Sequence, residues 1–269
     1  MFLARPNFIM RAHLFIIGLV TVCDSLGLAQ GIREMSTDRP DVTESAYSVA
    51  KGMFQVEMSF FDYEWEANGP ESVDSWIYGQ MNFKYGLATD TDLQLVFDSR
   101  TVTRASSQGD VTKMSGFGDV MVRLKQNLWG NDGGRTAMAV MPYITIPTGT
   151  DLSADAWSGG VAVPFAMTLT DRLSLATMGQ LDFVPDSETN GYDLEFLATI
   201  SLGVTLTERW GAYSEIIISA GEDTDAQHRS ATGVTFAITD DFVLDAGIRI
   251  GLNCAAPDLG VFSGVSFRF

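Results

Sequence analysis

Apolar and polar residues alternate with a period of two in segment after segment of this chain, a pattern that few folds can use. From Met53 onward, Phe54, Val56, Met58 and Phe60 alternate with Gln55, Glu57 and Ser59. The clearest run sets Leu194, Phe196, Ala198, Ile200, Leu202, Val204 and Leu206 against Asp193, Glu195, Thr199, Ser201 and Thr205. Period two belongs to a strand with one apolar and one polar face. Twelve such segments follow one another, the last being Gly260 to Phe269. Tight turns near 88–91, 130–134, 170–172, 207–209 and 239–241 alternate with longer polar loops near 66–72, 104–116, 147–157, 184–191, 221–227 and 253–258. An all-β chain with that layout predicts a single antiparallel up-and-down transmembrane β-barrel of about 12 strands, with short periplasmic turns and longer external loops.

Soluble barrels alternate too, with the apolar face inside. Three features choose the membrane sign. Arg5, Arg11 and His13 precede an apolar run from Leu14 to Cys23, and Gly27-Leu28-Ala29 offers a cleavage site, so residues 1–29 read as a signal peptide. The polar face mixes Gly, Ala, Ser and Thr with charges of both signs, as a narrow lumen needs. The chain ends on Phe269, with Val265 and Phe267 on the same face, the pattern of a barrel-assembly signal. No later stretch approaches the ~18 apolar residues of a spanning helix, and in lipid only a closed barrel otherwise satisfies every backbone group. Residues 30–50 form a polar leader and 51–269 the barrel, in the outer membrane of a Gram-negative bacterium.

The formal charge of −17 argues against nucleic acid as a partner. Cys23 falls in the signal segment, which leaves Cys254 without an internal partner. No nucleophile motif, metal spacing or phosphate loop appears, and His228 is the one histidine after the signal segment. A non-enzymatic barrel without cofactor or metal is therefore expected. Its partners would be outer-membrane lipid, the barrel-assembly machinery and a small solute of unknown identity. A structural or adhesive barrel is the alternative, and an outer-membrane lipid hydrolase the weaker one.

The stretch Thr37-Asp38-Arg39-Pro40-Asp41-Val42-Thr43-Glu44-Ser45, followed by Gly52 and Gln55-Val56-Glu57, resembles the opening of an outer-membrane β-barrel transporter family named after the meta-pathway of phenol degradation. Gly116-Phe117-Gly118-Asp119, with Lys125, Asn127, Leu128 and Trp129, is similar to that family's middle motif, and Pro142-Tyr143 with Pro147-Thr148-Gly149 agrees. Ala50-Lys51-Gly52 departs from it, since the family often has Pro before the Gly. The resemblance implies a channel or transporter for small solutes, apolar or aromatic compounds among them.

The alternation directs Glu57, Lys84, Asp98, Arg100, Asp119, Arg123, Lys125, Asp182, Asp193, Glu195, Glu215, Asp245, Arg249 and Arg268 into the lumen. Such a density of opposite charges in a twelve-stranded barrel predicts a partly blocked lumen. Asp38, Arg39 and Asp41 leave two readings open: a plug paired with luminal charges, or a periplasmic tail. The last strand must pair with the first to remove both edges, and Arg268 is expected to meet Glu57 across that seam.

Overall fold

A computed structural model describes residues 33–153, 156–186, 191–222 and 224–269. The signal segment, with Cys23, and the loop residues Asp155, Glu188 and Asp223 lie outside the described residues. Among the described residues thirteen strands and no helix are present: β1 (Phe54–Asn68), β2 (Glu71–Gly86), β3 (Thr91–Ser107), β4 (Asp110–Gly116), β5 (Val120–Trp129), β6 (Thr136–Ile146), β7 (Ser158–Thr170), β8 (Leu173–Pro185), β9 (Tyr192–Thr205), β10 (Trp210–Gly221), β11 (Gln227–Thr239), β12 (Phe242–Gly251) and β13 (Leu259–Arg268).

Twelve of them close an antiparallel ring, each paired to its sequence neighbour except that β3 skips β4 to pair with β5. β13 closes on β1, in the register Gln55 opposite Arg268 and Glu57 opposite Ser266. The Phe54 and Phe269 main chains exchange two 2.9 Å hydrogen bonds at that seam. β4 pairs only with the outer half of β3, so the polar stretch 104–116, expected to be a loop, is a hairpin turning at Gln108-Gly109. The stretch 66–72 is likewise two strand ends joined at Gly69-Pro70. β1, β2 and β3 are 15, 16 and 17 residues long, against the roughly 9–11 that cross a bilayer. Their polar ends therefore stand clear of the membrane, where a strand has no need of an apolar face.

Large apolar side chains such as Phe83, Leu95, Leu124, Ile200, Leu202 and Ile248 are exposed on the outer wall. Their alternating neighbours Lys84, Gln94, Arg123, Lys125, Thr199 and Ser201 are buried inside. A wall apolar outside and polar inside suits lipid, and closure leaves no edge within the twelve-stranded ring. The outer membrane is the bilayer in which such barrels sit.

Alternation reverses along one row of the wall. β1 carries a bulge between Ser59 and Phe61, where the apolar positions slip in phase from Phe54, Val56, Met58 and Phe60 to Phe61, Tyr63 and Trp65. Above it Asp62 and Glu64 point inward and pair with Arg249, while Tyr63 stacks on Trp76 and Trp76 on Tyr78 outside. On β2 the reversal falls at Gly79, whose φ of 61° is left-handed backbone that glycine adopts freely. On β3 it falls at Ser99, because Asp98 and Gln80 meet inside while Arg100 stands opposite outward-facing Tyr78. Pro142 and Pro164 cannot donate to a ladder and would be expected at bulges. Neither shifts the register; each drops pairs from one flanking ladder instead.

Candidate functional site

The lumen has two chemically different walls. Strands β1, β2, β3, β5, β12 and β13 carry Glu57, Lys84, Asp92, Gln94, Lys125, Asp245 and Arg268, all buried. From β6 to β10 an apolar strip interrupts the polar lining: Ala137, Ala139, Met141, Ala162, Met178, Leu197 and Ile217 point inward beside Thr199, Ser201 and Glu215. Phe262 and Tyr213 lie flat against glycines of the neighbouring strand. A Cβ on Gly247 would sit 2.4 Å from the Phe262 ring, and one on Gly233 2.6 Å from Tyr213. The alternation reads polar against apolar, so it does not mark an apolar residue that points inward; Ala, Gly and Met on the presumed polar side were the available signal.

Residues 33–50 fold back along these inner faces as a loop. Its two limbs touch each other through Ser36 and Ser45, whose hydroxyls lie 2.7 Å apart. Arg33 binds the Thr89 carbonyl and accepts from Arg268 at the turn end of the barrel. Deeper in, the Asp38 and Arg39 amides donate to Glu57 at 3.0–3.1 Å. Arg39 reaches Asp245 at 2.8 Å, and a Cβ on Gly264 would come within 2.5 Å of its guanidinium. At the apex the Val42 and Thr43 amides donate to the Glu215 carboxylate at 2.9 and 2.8 Å. The chain then descends: Glu44 pairs with Arg123, Asn127 donates to the Ala46 carbonyl, and the Val49 amide donates to Asp92 at 2.8 Å.

Asp38 is the hub. It takes Lys84 from β2 and Lys125 from β5, and its Oδ1 accepts the Ser45 amide. Burial alone raises a carboxyl pKa, but Lys125 and Lys84 outweigh it and hold Asp38 well below the usual carboxylate range. Asp41 lacks that compensation. Burial first, and then the neighbouring Glu215, push it up to about 8. Glu44 rises to about 7 through burial, against the pull of Arg123.

The fourteen positions directed inward by the alternation divide accordingly. Glu57, Lys84, Arg123, Lys125, Glu215 and Asp245 bind the leader. Arg249 pairs with Asp62 and Glu64, Asp98 with Gln80, and Asp182 with Tyr143 and Gln180. Asp193 and Glu195 are half-buried near the loop end of β9. Asp119 lies in the break between β4 and β5 and accepts from Thr148, tying down the β6–β7 loop. Arg100 does not face the lumen: the reversal at Ser99 puts it on the outer wall. Arg268 and Glu57 share the inner face but do not meet; Arg268 pairs with Asp241 at 2.5 Å, and Glu57 is taken by Lys84 and the leader amides. His228 is exposed at a loop edge.

Above the leader a chamber of about 310 Å³ opens, floored by Pro40, Asp41 and Val42 and walled by Asn82, Arg123, Arg249, Met121 and Phe262. That is the low end of the ~300–1,000 Å³ typical of ligand pockets, room for one small solute. Asn82 Oδ1 and Arg123 Nε have no hydrogen-bond partner among the described residues.

The family model described as "Putative MetA-pathway of phenol degradation" matches residues 37–269. The chain belongs to this family. No curated protein matches it. Among solved structures, an outer-membrane channel from Pseudomonas putida F1 superposes with a TM-score of 0.67 at 14% identity, over 84% of this chain and 98% of that one. The porin NanC gives 0.51 at 9% identity, over 80% and 98%. The translocator domain of the autotransporter NalP from Neisseria meningitidis gives 0.52 at 10%, over 82% and 89%. At these identities the likeness establishes the fold, a closed β-barrel of the outer-membrane kind.

Proposed function

We propose that the protein is a channel for small apolar solutes, aromatic ones among them, whose periplasmic mouth is stoppered by residues 33–50 and whose barrel proper is 51–269. The observation that carries this reading is the asymmetry of the lumen. A barrel filled only for rigidity has no use for an inward strip of Met141, Ala162, Met178, Leu197 and Ile217 opposite a wall of buried charges and amides. Such a strip offers an apolar solute a path along one side, while the charged wall holds the leader. The external loops and the upper chamber would admit the solute, and movement of the leader would let it leave.

Planar-bilayer conductance and proteoliposome uptake of a solute panel test this. Deletion of residues 36–45 is expected to raise conductance severalfold and to speed entry of benzyl alcohol more than entry of a sugar of similar mass. Equal conductance with and without 36–45 would reject the stopper. Absence of uptake in both proteins would reject the channel in favour of a structural barrel.

A further inference from the structure

The reversal of alternation on β1–β3 creates a surface outside the barrel. Opposed residues of an antiparallel pair share a face. Trp65 opposes Asp74, Asp74 opposes Arg104, and Arg104 opposes Lys113. Two rows nearer the membrane, past Trp76 opposite Val102, Tyr78 opposes Arg100. This is the outward face, because Tyr63, Trp76 and Tyr78 stack on it while Asp62 and Glu64 point the other way.

Its height is fixed by the aromatic side chains. Tyr63 and Trp65 come nine and eleven residues after Phe54 at the turn end, roughly one bilayer crossing. Trp and Tyr gather where acyl chains meet headgroups. Arg100, Arg104 and Lys113 therefore stand at the headgroups of the outer leaflet, all exposed. Arg229 and Arg249, the other described basic side chains of the loop half, pair with Glu64 in the lumen.

The three have no use inside the fold. Among the described residues none makes an ion pair, and the one carboxylate opposite Arg104, that of Asp74, accepts the Tyr63 hydroxyl at 2.7 Å. Like charges directly opposed across a ladder, as Arg104 and Lys113 are, weaken a sheet. An anion between them removes that repulsion. Arg100 and Arg104 lie four residues apart on one strand, roughly 13 Å, too far for one phosphate and suited to two on one rigid head.

We propose that Arg100, Arg104 and Lys113 bind the phosphorylated sugar head of an outer-leaflet glycolipid. Arg104 and Lys113 clamp one phosphate, Arg100 takes a second, and the Trp76–Tyr78 rings pack on the first methylenes of its acyl chains.

The test is native mass spectrometry of the purified full chain in detergent, titrated with bis-phosphorylated lipid A, dephosphorylated lipid A and phosphatidylglycerol. The phosphorylated glycolipid is expected to bind tightest, and R104Q/K113Q to weaken it roughly tenfold or more, with R104K close to the parent. Heat-modifiable migration shows that each variant is folded, and R100Q serves should the double variant fail that check. Equal binding of dephosphorylated lipid A or of phosphatidylglycerol, or an unchanged affinity in the folded variants, overturns the proposal. Full competition by millimolar inorganic phosphate also overturns it, because the site would then take the free ion.

Discussion

Lys125 Nζ donates to Asp38 Oδ1 at 2.6 Å, joining the middle of strand β5 to a segment 87 residues earlier in the chain. Lys84 takes the other oxygen of the same carboxylate. Both lysines and Asp38 are buried, so Asp38→Asn leaves Lys84 with Glu57 and strips Lys125 of its one direct ion pair among the described residues. Breaking one partner out of a buried ion cluster costs about 3 kcal/mol. The expected result is a leader that undocks while the barrel persists. With the exposed native thiol removed by Cys254→Ser, labelling of a Ser45→Cys variant with a charged thiol reagent reads undocking directly, and it should speed up at least tenfold in the presence of D38N.

Docking should weaken as pH rises. Asp41 titrates near 8 when docked, because burial and Glu215 oppose its ionisation, and near 3.9 when free. Between those values the docked state binds more protons, so its stability is complete below the free pKa and is lost as pH climbs towards 8. Channel openings should be more frequent at pH 8.5 than at pH 5.5. Asp41→Asn should reduce that difference, the remainder coming from Glu44, which burial raises to about 7; a slope unchanged in D41N would assign it elsewhere.

Gly264 has no room for a methyl group. An added Cβ would lie 2.4 Å from the Met58 carbonyl oxygen and 2.5 Å from the Arg39 guanidinium. Gly264→Ala should destabilise by about 1–3 kcal/mol through overpacking, seen as a lower urea midpoint of barrel unfolding and faster leader labelling together.

Leu197 packs inward against both apolar clusters of the lumen. On the proposed function, Leu197→Asp interrupts the apolar path with a charge. Uptake of benzyl alcohol through the leader-deleted barrel should fall about tenfold, a barrier higher by about 1.4 kcal/mol, while ionic conductance is held or raised. Equal loss of both fluxes would mean collapse of the lumen instead.

The barrel was legible in the chain because lipid enforces the pattern it reads. Every residue of the apolar band must alternate, so strand number, turn positions and the inward placement of Glu57, Lys84 and Lys125 follow from period two. Where lipid stops, so does the signal. The hairpin at 104–116 looks like a loop because water asks nothing of its outer face. Asp62 and Glu64 were visible at a written phase slip, between Phe60 and Phe61. The companion reversals at Gly79 and Ser99 leave no such mark, and Arg100 was placed on the wrong side. The leader looked solvated for a related reason: the interior of this barrel is polar, so a segment built to lie there has a surface composition. The expected Arg268–Glu57 contact missed because Lys84, opposite Gln55 on β2, reaches diagonally to Glu57, and periodicity does not rank competing partners.

The course of the leader also sets how it responds to force. Its contacts run upward from Arg33 through Asp38 to Thr43 and downward again to Val49. A pull on residue 33 from the periplasm therefore loads these bonds one after another, like a zip, rather than all together. Extraction by peeling needs a small force sustained over a long distance, whereas pressure from outside would push on the whole apex at once. The same set of ion pairs is thus soft from the cell side and stiff from the outside, a mechanical polarity that follows from both limbs entering by the same mouth.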